Sequence, residues 1–125
     1  LQGCRGVMEL KTKIYLVDEE DDKFMGIGVL WLLQEVAGTQ SLNKAAANLG
    51  ISYTKAFNMV KNLEKALGKE VLLRKKGGST REGATLTDFG SDFLALYDEF
   101  QKSAKKSMEA PYREFCDRLA DLMKE

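Results

Sequence analysis

Apolar residues recur along this chain first at strand spacing and then, for most of its length, at helical spacing. Lys11 to Val17 (KTKIYLV) is rich in β-formers with an alternating start, and Lys23-Phe24-Met25 is a second short apolar piece. The acidic run Asp18-Glu19-Glu20-Asp21-Asp22 lies between them, so the pair predicts a β-hairpin with a charged tip. Gly26 to Ala37 (GIGVLWLLQEVA) is dense in aliphatic residues and predicts a largely buried helix that stops at Gly38. Within it Trp31 reads as a core or dimer-face residue, because its neighbours are aliphatic.

The next segment is the most informative. Ser41 is placed to cap a helix over Leu42 to Leu49, whose Ala45-Ala46-Ala47 run allows close helix packing. Gly50 supplies a sharp turn, Ile51 plugs it, and Ser52 caps a second helix that runs to about Leu67 before Gly68. In that helix Ala56, Val60, Leu63 and Leu67 form the inward stripe, with Tyr53 and Phe57 close enough to it to be assigned to packing. Thr54, Lys55, Asn58, Asn62 and Lys65 face the other way, with Lys61 at the margin. A short strand over Glu70 to Leu73 leads into the basic Gly-rich loop from Arg74 to Gly83, and Ala84 to Leu86 returns as a second strand, which makes a wing.

Thr87 caps a long helix from Asp88, with Phe89, Phe93, Leu96 and Phe100 on one face and Leu94 and Tyr97 beside them. Pro111 breaks the pattern, and Tyr112 to Met123 resumes it through Phe115, Leu119 and Leu122. The predicted fold is therefore mainly α with small β, a winged helix-turn-helix. It has an N-terminal β-hairpin, a three-helix core with a β-wing, a long C-terminal helix and a short terminal helix. Leu1 is no initiator whereas Met8 is a candidate one, so residues 1–10 read as a leader. Residues 11–90 form the winged domain and 87–125 a C-terminal helical dimerisation segment.

Charge sharpens this picture. The net charge is zero, yet residues 1–40 carry four basic against seven acidic side chains, 41–83 nine against three, and 84–125 six against nine. Positive charge is concentrated on the turn, the second helix and the wing, as an electrostatic footprint for nucleic acid requires. Asn pairs bidentately with adenine, while Lys and Thr reach guanine edges or phosphate. The candidate DNA-binding residues are thus Ser52, Thr54, Lys55, Asn58, Lys61 and Asn62 on the helix, with Lys75, Lys76, Ser79, Thr80 and Arg81 on the wing.

Other chemistry is poorly served. There is no histidine, which removes the commonest general base, and no nucleophile–base pair stands out, so the chain is not read as an enzyme. Cys4 and Cys116 lie near opposite ends and make no disulfide framework. No metal site is expected, because the acidic run lacks the spaced ligands and central Gly of a calcium loop. No phosphate-cradling nucleotide motif is present either. No apolar run is long enough to span a bilayer, and no signal-peptide pattern opens the chain, so the expected compartment is the cytoplasm.

Ser41–Gly68, the following strand, the Gly77-Gly78 loop and Ala84-Thr85-Leu86-Thr87-Asp88-Phe89-Gly90 resemble the winged helix-turn-helix of LysR-type regulators. The nearer resemblance is to the N-terminal DNA-binding domain of the molybdate-responsive ModE family, through Phe24-Met25-Gly26-Ile27-Gly28, Ile51-Ser52-Tyr53 and Gly77-Gly78. It covers about residues 11 to 100. The resemblance implies a transcriptional regulator that binds a pseudo-palindromic operator on double-stranded DNA as a homodimer, with Leu30, Trp31, Phe93, Leu96, Tyr97 and Phe100 at the dimer interface. ModE-type regulators carry further C-terminal molybdate-binding domains, for which these 125 residues have no room. No cofactor and no small-molecule effector are therefore expected on this chain. The alternative is a winged-helix protein–protein interaction module without specific DNA binding.

Overall fold

The computed structural model describes residues 8–75 and 83–124. Two strands, β1 (Tyr15–Val17) and β2 (Lys23–Gly26), precede three helices, α1 (Ile27–Thr39), α2 (Leu42–Leu49) and α3 (Tyr53–Leu67). A second strand pair, β3 (Leu72–Lys75) and β4 (Gly83–Leu86), leads into α4 (Asp88–Ser107) and α5 (Glu109–Met123). Both pairs are antiparallel two-stranded sheets. The fold is mostly helical with small β-hairpins, a winged helix-turn-helix. Among the described residues, no helix is long and apolar enough to cross a membrane.

The chain divides into two compact units, Ile14–Asp98 and a smaller one made of the N-terminal segment to Lys13 together with Glu99–Glu125. In the larger unit α1 and α2 pack against each other, and α3 lies on α2 through small residues, Ala45 and Ala46 facing Ala56 in one buried cluster. Leu32, Leu33, Val36, Leu63 and Val71 complete that core with no exposed surface. Phe89, Phe93 and Tyr97 stack along α4 with ring centroids 6.3 and 6.4 Å apart. The Tyr97 hydroxyl donates to the Ile14 carbonyl at 2.9 Å, and burial pushes its pKa above the ordinary tyrosine range.

In the smaller unit Gln101 and Cys116 are buried, and the Tyr112 hydroxyl donates to the Met8 carbonyl at 3.3 Å. Cys116 is disulfide-bonded, although two cysteines so far apart in sequence offered no framework. Cys4 lies outside the described residues.

Several element bounds differ from those read in the sequence, each for a local reason. β1 is three residues long rather than seven, since its partner β2 ends at Gly26, opposite Tyr15, where α1 begins. α1 passes through Gly38 and ends at Thr39, with Gln40 capping it at a positive φ (56°). Glycine weakens a helix interior without forbidding it, and Gly38 here merely occupies the last turn. β3 starts at Leu72 rather than Glu70 because one Glu64 carboxylate oxygen accepts the Val71 and Leu72 amides at 2.9 and 3.2 Å. The helix is interrupted near Pro111 as expected, but the break falls at Met108, between α4 and α5, rather than at the proline itself. α5 opens at Glu109, so the proline sits in its first turn, where its missing N–H has no intrahelical partner to lose.

Candidate nucleic-acid interface

The turn between α2 and α3 is built from its own residues. Ser41 Oγ accepts the Lys44 amide at 3.0 Å and so starts α2. Gly50 adopts φ 72°, a conformation that a side chain disfavours, and the amides of Gly50 and Ile51 return to the carbonyls of Ala47 and Ala46. Ser52 Oγ then accepts the Lys55 amide at 3.0 Å and starts α3. The first turn of α3 is thereby held with its N-terminus and its polar row pointing outward.

Ser52, Thr54, Lys55, Asn58, Lys61 and Asn62 are all exposed. They do not share one environment. Asn62 and Lys65 line a cleft of about 560 Å³ whose opposite wall is the acidic turn, Asp18, Glu19, Glu20 and Asp22. Ser52 to Asn58 lie on the N-terminal half of α3, away from that cleft's lining. Lys61 pairs with Glu64 at 3.6 Å and lies 5.5 Å from the centre of the Phe57 ring. The Lys61 side chain is exposed and that of Glu64 largely buried, so solvent screens the pair from one side only.

Within the acidic turn, Asp18, Glu20 and Asp22 bring carboxylate oxygens within 4.8 Å of one another. Asp18 Oδ1 already accepts the amides of Glu20 and Asp22 at 2.8 and 3.0 Å, which closes the turn. All three residues are exposed, and the turn contributes negative charge beside the C-terminal half of α3.

On the wing, Lys76, Ser79, Thr80 and Arg81 lie outside the described residues, as does the loop that carries them. Lys75 is the last residue of β3, paired with Gly83. The residue that sequence reasoning missed is Arg74. Its guanidinium donates to the Tyr53 hydroxyl at 3.0 Å and lies 4.6 Å from the centre of the Phe57 ring. Tyr53 and Phe57 are themselves stacked, 6.2 Å apart at 25°. Both aromatics were read as packing residues, and they are half-buried against the core cluster. Their outer edges also carry a cation, which the 21-residue separation between Tyr53 and Arg74 hid from local pattern reading.

The residues expected at a dimer interface fall into two groups. Leu30 and Tyr97 are 2% and 3% exposed within the single chain, so they are core residues with no surface to offer a partner. Both were expected at the interface from the family resemblance, which points to the helix and not to which of its faces the core already covers. Trp31, Leu96 and Phe100 are 51%, 64% and 48% exposed, and Phe93 is half-buried.

Residues 28–91, just over half of the chain, match the family model described as bacterial regulatory helix-turn-helix protein, lysR family. The chain belongs to this family. It is 27% identical over 94 residues to the molybdenum transport protein ModE of Azotobacter vinelandii, a match over 75% of this chain and 32% of that protein. It is 32% identical over 72 residues to the transcriptional regulator ModE of Haemophilus influenzae, covering 58% of this chain and 28% of the relative. The chain thus spans about a third of the length of the curated relatives it matches. Among solved structures, the CbnR DNA-binding domain in its DNA complex superposes with a TM-score of 0.55 at 26% identity, over 68% of this chain and 92% of that one. The BenM DNA-binding domain bound to benA site 1 DNA gives 0.53 at 22% identity, over 71% and 98%, which supports the fold alone. This is a family of regulators and not of enzymes.

Proposed function

We propose that this LysR-family, ModE-like chain binds double-stranded DNA and acts in transcription regulation. In this reading the N-terminal half of α3 enters the major groove, and the wing formed by β3, β4 and their loop lies along the flanking backbone. The observation that carries it is the outward row Ser52, Thr54, Lys55 and Asn58 at the capped start of α3, next to Arg74 and away from the acidic turn. Similarity to the CbnR DNA-binding domain, seen in complex with DNA, supports DNA as the ligand.

Lys and Arg contacts supply most of the affinity by releasing counterions, and Thr54 and Asn58 supply base discrimination. Asn62 makes a lesser contribution, because the groove's phosphates would have to approach the acidic turn to reach it. A homodimer on a pseudo-palindromic operator is the economical assembly, with the exposed Trp31, Leu96 and Phe100 as the apolar side chains that need cover. A DNA-reading role places the protein in the cytoplasm. Molybdate sensing is not carried over, because the matched region covers only about a third of the ModE relatives.

Asn58→Ala tests the direct-readout part. On a selected operator it is expected to cost about 1–3 kcal/mol of discrimination at one base pair while leaving affinity for unrelated DNA nearly unchanged. Binding measured on a panel of single-base variants decides this, and a uniform drop across the panel would contradict the assignment. A second reading, a protein-binding winged module, is favoured by the exposed apolar side chains of α5, Phe115, Leu122 and Met123. Salt-insensitive, unselective DNA binding would support it.

A further inference from the structure

We propose that Glu64 is a positioning residue of the DNA interface: its carboxylate ties the base of the wing to α3 and so sets how the wing stands relative to the outward row. The inference rests on the DNA-binding reading above and adds to it the device that fixes the spacing of its two parts. Glu64 lies on α3 six residues beyond Asn58, about 9 Å along the same helix axis. Its side chain is only 13% exposed. One carboxylate oxygen accepts the Val71 and Leu72 amides at 2.9 and 3.2 Å, and the other pairs with Lys61 at 3.6 Å. Leu72 opens β3, and Lys75 lies three residues, or about 10 Å, farther along that strand.

Val71 is held from two sides. Its N–H goes to Glu64 on α3, and its carbonyl accepts the Thr87 amide at 2.9 Å, at the start of α4. The second tie fixes the wing to α4, which carries none of the outward row, whereas the first fixes it to the helix that does. Side-chain packing does not fill the space beside that first tie. A cleft of about 290 Å³ lies there, lined by Val60, Lys61 and Glu64 of α3 and by Leu72, Leu73 and Arg74 of β3. Arg74 meets Tyr53 and Phe57 through its side chain, but Glu64 holds the backbone at the start of the strand. An ionised acceptor makes such bonds roughly twice as strong as a neutral one would. A helix-and-wing reader engages a duplex in the groove and at the flanking backbone together, so the spacing of its two parts must match the duplex. A wing already set at that spacing loses less freedom on binding. A non-specific complex, held by phosphate contacts alone, depends less on it.

The test measures equilibrium binding to a selected operator duplex and to a scrambled duplex of equal length. Hydroxyl-radical footprinting of the operator reports the backbone that the wing covers, and thermal melting of each protein is the control for folding. Glu64→Ala and Glu64→Gln change the charge equally, and only glutamine keeps an oxygen within reach of the two amides. Glu64→Ala is expected to weaken operator binding by about tenfold and scrambled binding by less than about threefold. It should also lose protection of the flanking backbone, while single-base variants of the operator keep their rank order. Glu64→Gln is expected to stay within about threefold of the parent on both duplexes and to keep the flanking protection. Glu64→Asp keeps the charge, falls one methylene short of the amides, and is expected to behave like the alanine variant. The proposal is overturned if Glu64→Ala keeps the parent's operator affinity and flanking protection, or if both duplexes weaken alike with the footprint unchanged. If Glu64→Ala does not fold, any result other than protection kept by Glu64→Gln and lost by Glu64→Asp overturns it. If the unaltered protein binds neither duplex, the DNA-binding reading falls and this proposal with it, a result distinct from failure of the Glu64 assignment alone.

Discussion

Gly90→Ala is expected to destabilise the winged unit by about 3 kcal/mol or more, at the top of the range for overpacking a tight site. Gly90 is in the first turn of α4, where alanine would ordinarily be the better helix former by up to about 1 kcal/mol. Space reverses the sign. A Cβ built there falls well inside the van der Waals envelope of the Val71 carbonyl oxygen and 3.1 Å from the Val71 carbonyl carbon and Cα. All of these are backbone atoms, which cannot swing aside as a flexible side chain could. The close approach belongs to a joint between the start of β3 and the start of α4. Thr87 donates its amide to Val71 O at 2.9 Å and its hydroxyl to Glu70 O at 2.8 Å, and its oxygen accepts the Gly90 amide at 2.8 Å. Gly38→Ala is the contrasting case. Nothing lies within 4 Å of its added Cβ, so propensity alone should act, stabilising by about 0.5–1 kcal/mol. Urea denaturation of the two variants compares them directly, and a Gly90→Ala protein as stable as the parent would contradict the packing described.

Leu63→Ala is expected to cost about 2–5 kcal/mol, the usual range for emptying a fully buried leucine site. Leu63 is wholly buried on the inward face of α3, in the cluster with Val60, Ala56 and Leu33. For a domain of this size that loss corresponds to a fall in melting temperature of roughly 10 °C or more. The effect on DNA should be separable from the effect on folding. Below its melting transition the variant is expected to keep the base preferences of the parent, because the outward row of α3 is untouched. Asn58→Ala should behave in the opposite way, altering base preference with little change in melting temperature, since Asn58 is exposed. If Leu63→Ala melted like the parent, the inward stripe of α3 would have to be reassigned.

The helical part of the fold was legible because helix starts, stops and inward stripes are local properties. Ser41, Ser52 and Thr87 were recognisable as caps, Gly50 and Gly68 as left-handed ends, and Ala56, Val60 and Leu63 as the buried row. The outward row of α3 followed from the same period. Features set by partners far along the chain were not legible. The start of β3 depends on Glu64, the length of β1 on where β2 stops, and the need for glycine at position 90 on the Val71 carbonyl. Arg74 belongs to this group, since Tyr53 and Phe57 lie on α3 and only folding brings them within its reach. Periodicity also could not separate Leu30 and Tyr97, which face the core, from Trp31 and Leu96, which face outward. Spacing identifies an apolar face, and only packing shows what already covers it.

The central claim is that the start of α3 and the neighbouring wing read duplex DNA. It is tested most directly by mixing the purified protein with a pool of random-sequence duplexes, recovering the bound fraction at two salt concentrations, and sequencing it. The account predicts enrichment of a two-fold symmetric site, with affinity that falls steeply as salt rises. Recovery of unselected sequences, with binding that is weak and indifferent to salt, would contradict it.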